Sequence, residues 1–355
     1  MTGTALIASG DAPLRDDLLR LAAAAGTTAE TAADPARARA GWRRAGLVVV
    51  GADLADALAG VPHRGGVVVA ARHGDPDVYR RAVAIGARDI AVLPDDEPWL
   101  VDAFRAAADP GRGDAGLTVA VCGARGGSGA SVLAAALAWT AARDGTSALL
   151  VDADPCGGGL DLLLGVEERS GARWRDLAPR RGRLGPSSLR DALPRAGNLS
   201  VLSGEPDGPV PGEAAAAVLG AAARGFDLTV VDAPRHPDAL GTAALQAAAV
   251  TFLLVPAEVR ATMAAARIAP RLAELTADLR LVVGLPSPGG LTPDVVAECL
   301  ALPAAGVLER DERFAAAVED SDLPQALRRG SLSALCEYLL AELPLTDRPA
   351  PLAAA

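Results

Sequence analysis

The sequence predicts an α/β protein made of two successive βα domains, each with a mainly parallel sheet. Short apolar runs of strand length alternate with longer stretches of helical periodicity almost from end to end. Such alternation implies parallel strands joined by right-handed crossovers. Half of the 355 residues are hydrophobic but only 3% are aromatic, and this alanine-rich composition suits helices packed on a sheet. A segment rich in Pro, Gly and charge divides the alternation into two series.

The first series predicts a domain over residues 1–108. Its strands are predicted at Thr4–Ser9, Gly46–Gly51, Gly66–Ala71 and Asp89–Leu93. Its helices are predicted at Ala12–Ala25, Leu54–Ala59, Asp77–Ile85 and Glu97–Ala108. Residues 109–116, Asp-Pro-Gly-Arg-Gly-Asp-Ala-Gly, have no apolar period and are predicted to be a linker.

The second series predicts a larger domain over residues 117–345. Its strands are predicted at Leu117–Cys122, Ala148–Asp152, Leu199–Leu202, Leu228–Asp232, Val250–Val255 and Leu281–Gly284. Its helices are predicted at Ala130–Asp144, Ala214–Arg224, Leu240–Ala248, Ala261–Leu275, Pro293–Leu300 and Ser331–Leu343. The Pro- and Ala-rich residues 346–355 are predicted to be a disordered tail.

Composition excludes several classes of function. The chain has no lysine, so its 34 basic residues are all arginine, and no mechanism that needs a lysine side chain is open to it. The net charge of −10 argues against a surface that attracts nucleic acid as a whole. Four scattered cysteines and three histidines form neither a disulfide framework nor a zinc motif.

Targeting signals are also missing from the sequence. Residues 1–11 lack the charged start and long apolar core of a signal peptide. No window approaches the roughly 20 apolar residues of a membrane span. We therefore expect a cytoplasmic protein without an integral membrane segment, recruited to the cytoplasmic face of the membrane only through partners.

A glycine-rich loop joins the first strand and first helix of the second domain. It reads Ala124-Arg-Gly-Gly-Ser-Gly-Ala-Ser131. Glycines at this kind of turn allow close backbone approach to phosphate oxygens, and the following helix N-terminus favours negative charge. The spacing Gly123-x-x-x-Gly127-x-Gly129 also fits short-chain dehydrogenases, with Asp152 as the ribose ligand. Those enzymes use a Tyr-x-x-x-Lys pair, which a chain without lysine excludes.

Three further segments follow the loop in a fixed order. They are Leu149-Leu-Val-Asp-Ala-Asp-Pro155 with Gly159-Leu-Asp161, then Phe226-Asp-Leu-Thr-Val-Val-Asp-Ala-Pro234, then Leu253-Leu-Val-Pro-Ala-Glu258. With the loop, they resemble the MinD/ParA-type (SIMIBI) P-loop ATPases over residues 117 to about 345. Two motifs resemble in particular the CpaE/TadZ-like branch and its actinobacterial septum-site-determining (Ssd-like) members. They are Gly-Gly-x-Gly-Ala-Ser and Val-Asp-Ala-Asp-Pro-x-Gly-Gly-Gly-Leu-Asp.

The resemblance implies a fold, cofactors and site residues. The fold is a receiver-like (flavodoxin-like, CheY-like) domain followed by a P-loop NTPase domain, and the cofactors are ATP or ADP with Mg²⁺. The residues implied to hold the nucleotide are Gly126, Gly127, Ser128, Gly129, Ala130, Ser131 and Pro256, the last near the adenine. The residues implied to hold Mg²⁺, partly through water, are Ser131, Asp152 and Asp232. Asp154 and Arg125 are the implied catalytic residues.

Three positions depart from the pattern of the superfamily. Ala130 stands where the Walker lysine reaches the β- and γ-phosphates, and Arg125 where a second lysine contacts phosphate across a dimer. Gly284 replaces an asparagine that often reads adenine. Because stabilising transition-state charge is the main tool of phosphoryl transfer, losing one cation costs a few kcal/mol. We expect nucleotide binding through the backbone, with slow hydrolysis or none.

Three functional hypotheses follow from the resemblance. In the first, ATP binding drives homodimerisation and recruits protein partners that place a division septum or a pilus or secretion apparatus. In the second, the chain is a pseudo-ATPase scaffold that acts without nucleotide. In the third, it is a slow ATPase that uses Arg125 in place of lysine.

The first domain is predicted to be a pseudo-receiver used for protein contacts. A working receiver needs a phosphorylatable Asp after its third strand and a lysine near its fifth. Here the strand Gly46–Gly51, which corresponds to the third strand of a receiver, leads to Gly51-Ala-Asp53. Asp53 lies two positions past the usual site and is interpreted as a helix cap.

An arginine-rich stretch runs from Arg169 to Arg195. Its further arginines are Arg173, Arg175, Arg180, Arg181, Arg183 and Arg190. ParA-type proteins bind DNA through basic surfaces. The lack of interleaved aromatics beyond Trp174 favours instead a solvated loop and helix face, so DNA is not expected as a partner.

Overall fold

A computed structural model describes residues 5–108, 116–179, 184–204 and 208–345, apart from residues 63, 65, 74, 156 and 321. The chain divides into two compact units, Met1–Asp114 with Gly182–Ser188, and Ala115–Arg181 with Leu189–Ala355. Most of the predicted linker, the predicted tail, and Arg180, Arg181 and Arg183 lie outside the described residues.

The first unit is a parallel five-stranded α/β fold. Its strands are β1 (Ala5–Ala8), β2 (Ala29–Ala32), β3 (Leu47–Gly51), β4 (Val67–Arg72) and β5 (Asp89–Leu93). Its helices are α1 (Ala12–Ala24), α2 (Pro35–Gly41), α3 (Ala52–Ala55), α4 (Val78–Ala84) and α5 (Glu97–Ala108). The strand order is β2-β1-β3-β4-β5, and every pairing is parallel. Separate apolar clusters on the two faces of the sheet form its core.

The second unit is built around an eight-stranded sheet. Its strands are β6 (Leu117–Gly123), β7 (Ala148–Asp152), β8 (Arg195–Ala196), β9 (Leu199–Leu202), β10 (Leu228–Ala233), β11 (Val250–Pro256), β12 (Leu279–Leu285) and β13 (Ala304–Glu309). Their order is β13-β12-β11-β6-β10-β7-β9-β8, and only the β8–β9 pair is antiparallel. Strand β6 therefore lies inside the sheet between β11 and β10, and the loop that follows it emerges at the carboxyl edge of the neighbouring strands.

Helices follow most of these strands and cover both faces of the sheet. They are α6 (Ala130–Arg143), α7 (Leu160–Leu163), α8 (Trp174–Leu177), α9 (Pro186–Ala192, of which residues 186–188 belong to the first unit), α10 (Gly212–Gly225), α11 (Ala239–Ala247), α12 (Val259–Leu275), α13 (Pro293–Leu300), α14 (Glu312–Glu319), α15 (Leu323–Ala326) and α16 (Ser331–Ala341). One apolar cluster joins α6 and α16 to one face of the sheet, and another joins α12 to the other face.

The predicted fold class is confirmed, because both units are parallel α/β folds in the predicted order. The sequence missed β2, β8 and β13, which lie at sheet edges and lack a run of buried apolar residues. Short helices such as α7 and α8 were missed because four residues carry no readable periodicity. Within the described residues, none of the helices combines the length and the apolar character that crossing a membrane requires.

Candidate functional site

The loop between β6 and α6 presents a row of unused backbone donors. Gly127 and Gly129 adopt φ angles of +70° and +93°, a region that favours glycine. Within the described part of the chain, the backbone N–H groups of residues 126–130 have no hydrogen-bond partner. The 14-residue helix α6 begins directly after them and adds the positive end of its dipole. The loop therefore has the geometry of an anion site.

Close packing fixes the shape of this loop. The Ala124 N–H donates to the Leu254 carbonyl at 3.0 Å, which ties the start of the loop to β11. A Cβ added to Gly123 would collide with the Ser128 hydroxyl, so Gly123 is needed for the loop to fold back over the end of β6. The Ala130 side chain is a methyl group that carries no charge into this space.

Two buried carboxylates lie next to each other at the edge of the sheet, beside the loop. Asp152 ends β7 and Asp232 lies in β10, and the two residues are direct register partners in the parallel pair. The Ser131 hydroxyl, in the first turn of α6, hydrogen-bonds Asp232. The structure thus brings together all three residues that the resemblance assigned to Mg²⁺.

Burial destabilises the charged form of both carboxylates. Desolvation raises the pKa of Asp232 to about 7, against the hydrogen bond from Ser131 and with added repulsion from Asp152 and Asp154. Desolvation also raises the pKa of Asp152 to about 6, while hydrogen bonds from Ser203 and two backbone N–H groups oppose it. Neither carboxylate forms an ion pair with another described residue.

These side chains fit Mg²⁺ only as part of a larger coordination shell. Oxygen ligands and desolvated carboxylates suit a hard divalent cation. Among the described residues, however, no group of three or more His, Cys, Asp or Glu side chains could hold a metal alone. A bound ion would therefore need phosphate oxygens and water to complete its shell, as Mg²⁺ does in nucleotide sites.

The Arg125 side chain lies beside the phosphate loop, paired with a carboxylate from another segment. Its Nη2 lies 2.9 Å from Oε1 of Glu258, and its Nη1 donates to the Gly126 carbonyl at 3.1 Å. Glu258 follows the Pro256 segment and is the N-cap residue of α12. Arg125 is therefore held by an intramolecular ion pair, a contact that the sequence pattern did not predict.

The remaining predicted site residues flank the loop. Asp154 is half-buried, and its N–H donates to Oδ1 of Asp152 at 3.3 Å. Pro256 ends β11 as the register partner of Gly284 on β12. Strand β11 neighbours β6, so this pair lies at the same sheet edge as the loop, on the side away from Asp232.

A buried polar network behind Asp152 was missed by sequence reasoning. Ser203 Oγ lies 3.1 Å from both Asp152 Oδ2 and Asp161 Oδ1. Arg173 donates to Asp161 at 3.2 Å and to four backbone carbonyls, and Trp174 donates to the Asp152 carbonyl. These contacts fix the Asp152–Asp161 segment. The Gly-Leu-Asp161 motif was a signal for this, but its partners 12 and 42 residues away were not readable.

A cavity of about 620 Å³ opens beside Asp152, and the loop residues 124–131 do not contribute to its lining. Asp152, Asp154, Asp161 and Asp238 contribute to its lining, together with apolar residues such as Leu240. This concentration of carboxylates disfavours a polyphosphate. The unused N–H groups of residues 126–130 make the loop the better candidate for an anion site.

The arginine-rich stretch is largely engaged within the protein. Arg173 is buried in the network, and Arg190 donates to the Gly225 carbonyl and lies over the Phe226 ring. Arg169 and Arg195 also donate to backbone carbonyls. Among the described arginines of this stretch, only Arg175 is exposed without a contact. The interpretation as a solvated face was therefore wrong for Arg173, whose role is internal.

The receiver-like unit has no place for a phosphorylated aspartate at the end of β3. A Cβ added to Gly51 would collide with Asp53 and approach Ser9. Asp53 accepts hydrogen bonds from the Ser9 hydroxyl at 2.9 Å and from the N–H groups of Gly10 and Asp11 at 2.7 and 3.2 Å. The interpretation of Asp53 as a helix cap was wrong, because its carboxylate holds the β1–α1 loop and α3 has no side-chain cap.

The fold combines a CheY-like unit with a second unit that has the fold of MinD/ParA-type proteins. A family model described as "Rv3660c-like, CheY-like N-terminal domain" matches residues 8–115. The uncharacterized protein Rv3660c of Mycobacterium tuberculosis strain H37Rv is 40% identical over 347 residues, covering 94% of this chain and 96% of its own length. The chain belongs to the Rv3660c-like family.

Solved structures agree with the fold of the second unit. A ParA family ATPase from Chlorobium tepidum superposes with a TM-score of 0.58 at 18% identity, over 64% of this chain and 98% of its own. MinD from Aquifex aeolicus superposes with a TM-score of 0.54 at 18% identity, over 64% of this chain and 99% of its own. MinD from Pyrococcus horikoshii, solved with Mg-ADP, superposes with a TM-score of 0.53 at 18% identity, over 64% of this chain and 94% of its own. At this identity the likeness concerns the fold alone.

Proposed function

We propose that this chain is an ATP- and Mg²⁺-binding regulatory protein that holds its nucleotide at the β6–α6 loop. The observation that carries the proposal is the row of unpartnered N–H groups at residues 126–130, next to Ser131 and two buried carboxylates. Backbone donors at a helix N-terminus bind phosphate without a lysine. Gly126, Gly127, Ser128, Gly129 and Ala130 would hold the phosphates.

The metal would lie between the nucleotide and the sheet. Ser131, Asp152 and Asp232 would hold Mg²⁺, partly through water, and the bound ion would neutralise phosphate charge. Pro256 would lie near the base. Asp154, the half-buried carboxylate beside this group, would orient the attacking water.

Hydrolysis would be slow or absent. Position 130 carries a methyl group instead of the Walker lysine, and Arg125 is paired with Glu258. Phosphoryl transfer depends on cations that stabilise charge as it develops, so a site short of them retains nucleotide better than it cleaves it. ATP would then act as a ligand that stabilises a homodimer.

The cellular role that we propose is placement of a septum or of a pilus or secretion apparatus through protein partners. This proposal is supported by the sequences of the loop and of residues 151–161, which resemble those of the CpaE/TadZ-like, Ssd-like branch. MinD of Aquifex aeolicus has been solved in a complex with MinC, so one fold neighbour has a protein partner. The lack of space for a side chain at Gly51 fits a receiver-like unit that serves protein contacts.

A nucleotide-independent scaffold is the second candidate. The Arg125–Glu258 pair favours it, because the pair withdraws from the loop a cation that phosphate would otherwise attract. A slow ATPase that releases Arg125 from Glu258 is the third.

Light scattering of the full chain with MgATP, MgADP or no nucleotide tests whether ATP drives dimerisation, and an assay of phosphate release tests for ATP hydrolysis. The proposal expects a dimer with MgATP, a monomer with MgADP and phosphate release close to background. A mass that ignores nucleotide would favour the scaffold. Rapid phosphate release that Asp154→Ala abolishes would overturn the slow-hydrolysis proposal.

A further inference from the structure

Arg235 is a second arginine at the phosphate loop, and neither the family resemblance nor the sequence motifs assigned it a role. It follows Asp232-Ala-Pro at the end of β10, the strand next to β6. Its Nη2 lies 3.9 Å from the position that a Cβ on Gly126 would occupy, so its guanidinium reaches the loop. Burial raises the pKa of the Cys122 thiol at the end of β6, and the positive charge of Arg235 partly opposes that rise.

The backbone that carries Arg235 is held firmly. Pro234 and Ala233 are buried. Gly241 in α11 approaches the Pro234 ring so closely that a Cβ there would lie 2.8 Å from its Cγ. The Asp238 side chain caps α11 by accepting from the Gly241 N–H at 2.9 Å. The segment from β10 to α11 thus fixes where the Arg235 side chain begins.

Unlike Arg125, Arg235 has no side-chain ion pair or hydrogen bond within the described part of the chain. Arg125 is tied to Glu258, whereas Arg235 is exposed and forms no ion pair or hydrogen bond with any described residue. A guanidinium that reaches an anion site and has no internal partner is available to a ligand. Its planar fork of donors matches phosphate oxygens.

We propose that Arg235 contacts the polyphosphate of the bound nucleotide and supplies the positive charge that Ala130 does not. The inference rests on the proposed nucleotide site and deepens it. It places the positively charged phosphate ligand after the end of β10 and not in the β6–α6 loop. An arginine in this place would make charge-assisted hydrogen bonds to phosphate from outside the position of the Walker lysine.

The test is calorimetric titration of the full chain with MgATP and, separately, with inorganic tripolyphosphate and Mg²⁺. The variants are Arg235→Gln and Arg235→Lys, with Arg271→Gln as the matched control. Arg271 is an exposed arginine of α12, 13 residues beyond Glu258 and therefore roughly 20 Å along the helix. Because Arg235 is exposed, its replacement leaves the fold intact, and thermal unfolding of each variant checks this.

Loss of one charge-assisted contact lowers affinity roughly tenfold to a hundredfold. The expected result is that Arg235→Gln weakens ATP and tripolyphosphate by the same factor, that Arg235→Lys restores part of the affinity, and that Arg271→Gln changes nothing. Wild-type affinity in Arg235→Gln, or a loss for ATP without a loss for tripolyphosphate, would overturn the inference and leave the proposed function standing. A wild-type chain that binds no MgATP would overturn both.

Discussion

The guanidinium of Arg125 and the carboxylate of Glu258 meet at 2.9 Å although 133 residues separate them in the chain. Arg125 belongs to the phosphate loop, and Glu258 begins the helix that follows the Pro256 segment. The pair therefore joins the two sides of the proposed nucleotide site. Both side chains are partly exposed, 38% and 35%, so solvent screens their attraction and phosphate can compete for the arginine.

Removing the carboxylate should release the arginine. We expect Glu258→Gln to strengthen MgATP binding by roughly threefold to tenfold, since phosphate no longer competes with Glu258. The free energy of unfolding should change by less than about 1 kcal/mol, because the pair is partly exposed. Calorimetry and urea unfolding measure the two effects, with the exposed Glu274→Gln as control. An unchanged or weaker affinity in Glu258→Gln would argue that Arg125 has no access to phosphate.

The left-handed backbone at Gly129 should tolerate no side chain. Gly129 has a φ of +93°, and the nearest atom to an added Cβ lies 3.7 Å away, so strain and not collision sets the effect. We expect Gly129→Ala to lower the free energy of unfolding by about 1–2 kcal/mol and to weaken nucleotide binding by distorting the row of donors. Gly158→Ala is the matched control, because a Cβ at Gly158 meets nothing within 4 Å. Equal stability and affinity in the two variants would refute a preformed loop.

Arg173 should matter for stability and its neighbour Arg175 should not. Replacing Arg173 by Met leaves the buried Asp161 carboxylate without its cation, at a cost of roughly 3–5 kcal/mol. Arg175 is exposed and lies two residues after Arg173. Arg175→Met should therefore change the free energy of unfolding by less than about 0.5 kcal/mol. Urea unfolding compares the two. If both variants kept wild-type stability, the network would not be holding the Asp152–Asp161 segment.

Buried carboxylates should make the protein without nucleotide or metal less stable as pH rises. Burial raises the pKa of Asp152 to about 6 and of Asp232 to about 7, above the unfolded value near 4. The folded state therefore binds more protons between about pH 4 and 7, and the free energy of unfolding falls across that window.

Asp232→Asn should remove most of this dependence. In EDTA at pH 8 we expect the variant to be more stable than the wild type by roughly 2–4 kcal/mol, with the difference vanishing towards pH 4. The exposed Asp294→Asn serves as control, and urea unfolding at several pH values provides the measurement. A wild-type stability that rises between pH 4 and 7 in parallel with Asp232→Asn would contradict the assignment of these shifts.

The sequence predicted the fold and the position of the site because both depend on local patterns. Apolar strand runs and a glycine-rich turn placed the loop after β6, and two strands that end in aspartate placed Asp152 and Asp232 at one edge. The edge strand β2, Ala-Glu-Thr-Ala, was not predicted because an exposed pairing partner needs no apolar alternation.

Contacts between distant segments could not be predicted in the same way. The pairing of Arg125 with Glu258 and the sharing of Ser203 by two aspartates depend on side chains that only the folded chain brings together. Asp53 shows the limit within a motif: its sequence position suggested a helix cap, while the space above Gly51 lets its carboxylate reach the β1–α1 loop. Arg235 carries no motif of its own, and only its distance from Gly126 draws attention to it.

The central claim is that a loop without a lysine binds nucleotide, and calorimetric titration of the full chain with ATP in the presence of Mg²⁺ tests it most directly. The account predicts a saturable heat, equivalent to one nucleotide per chain, that weakens when EDTA removes the metal, and a higher melting temperature with MgATP. No heat and no change in melting temperature would contradict it, and the chain would then be a scaffold that works without nucleotide.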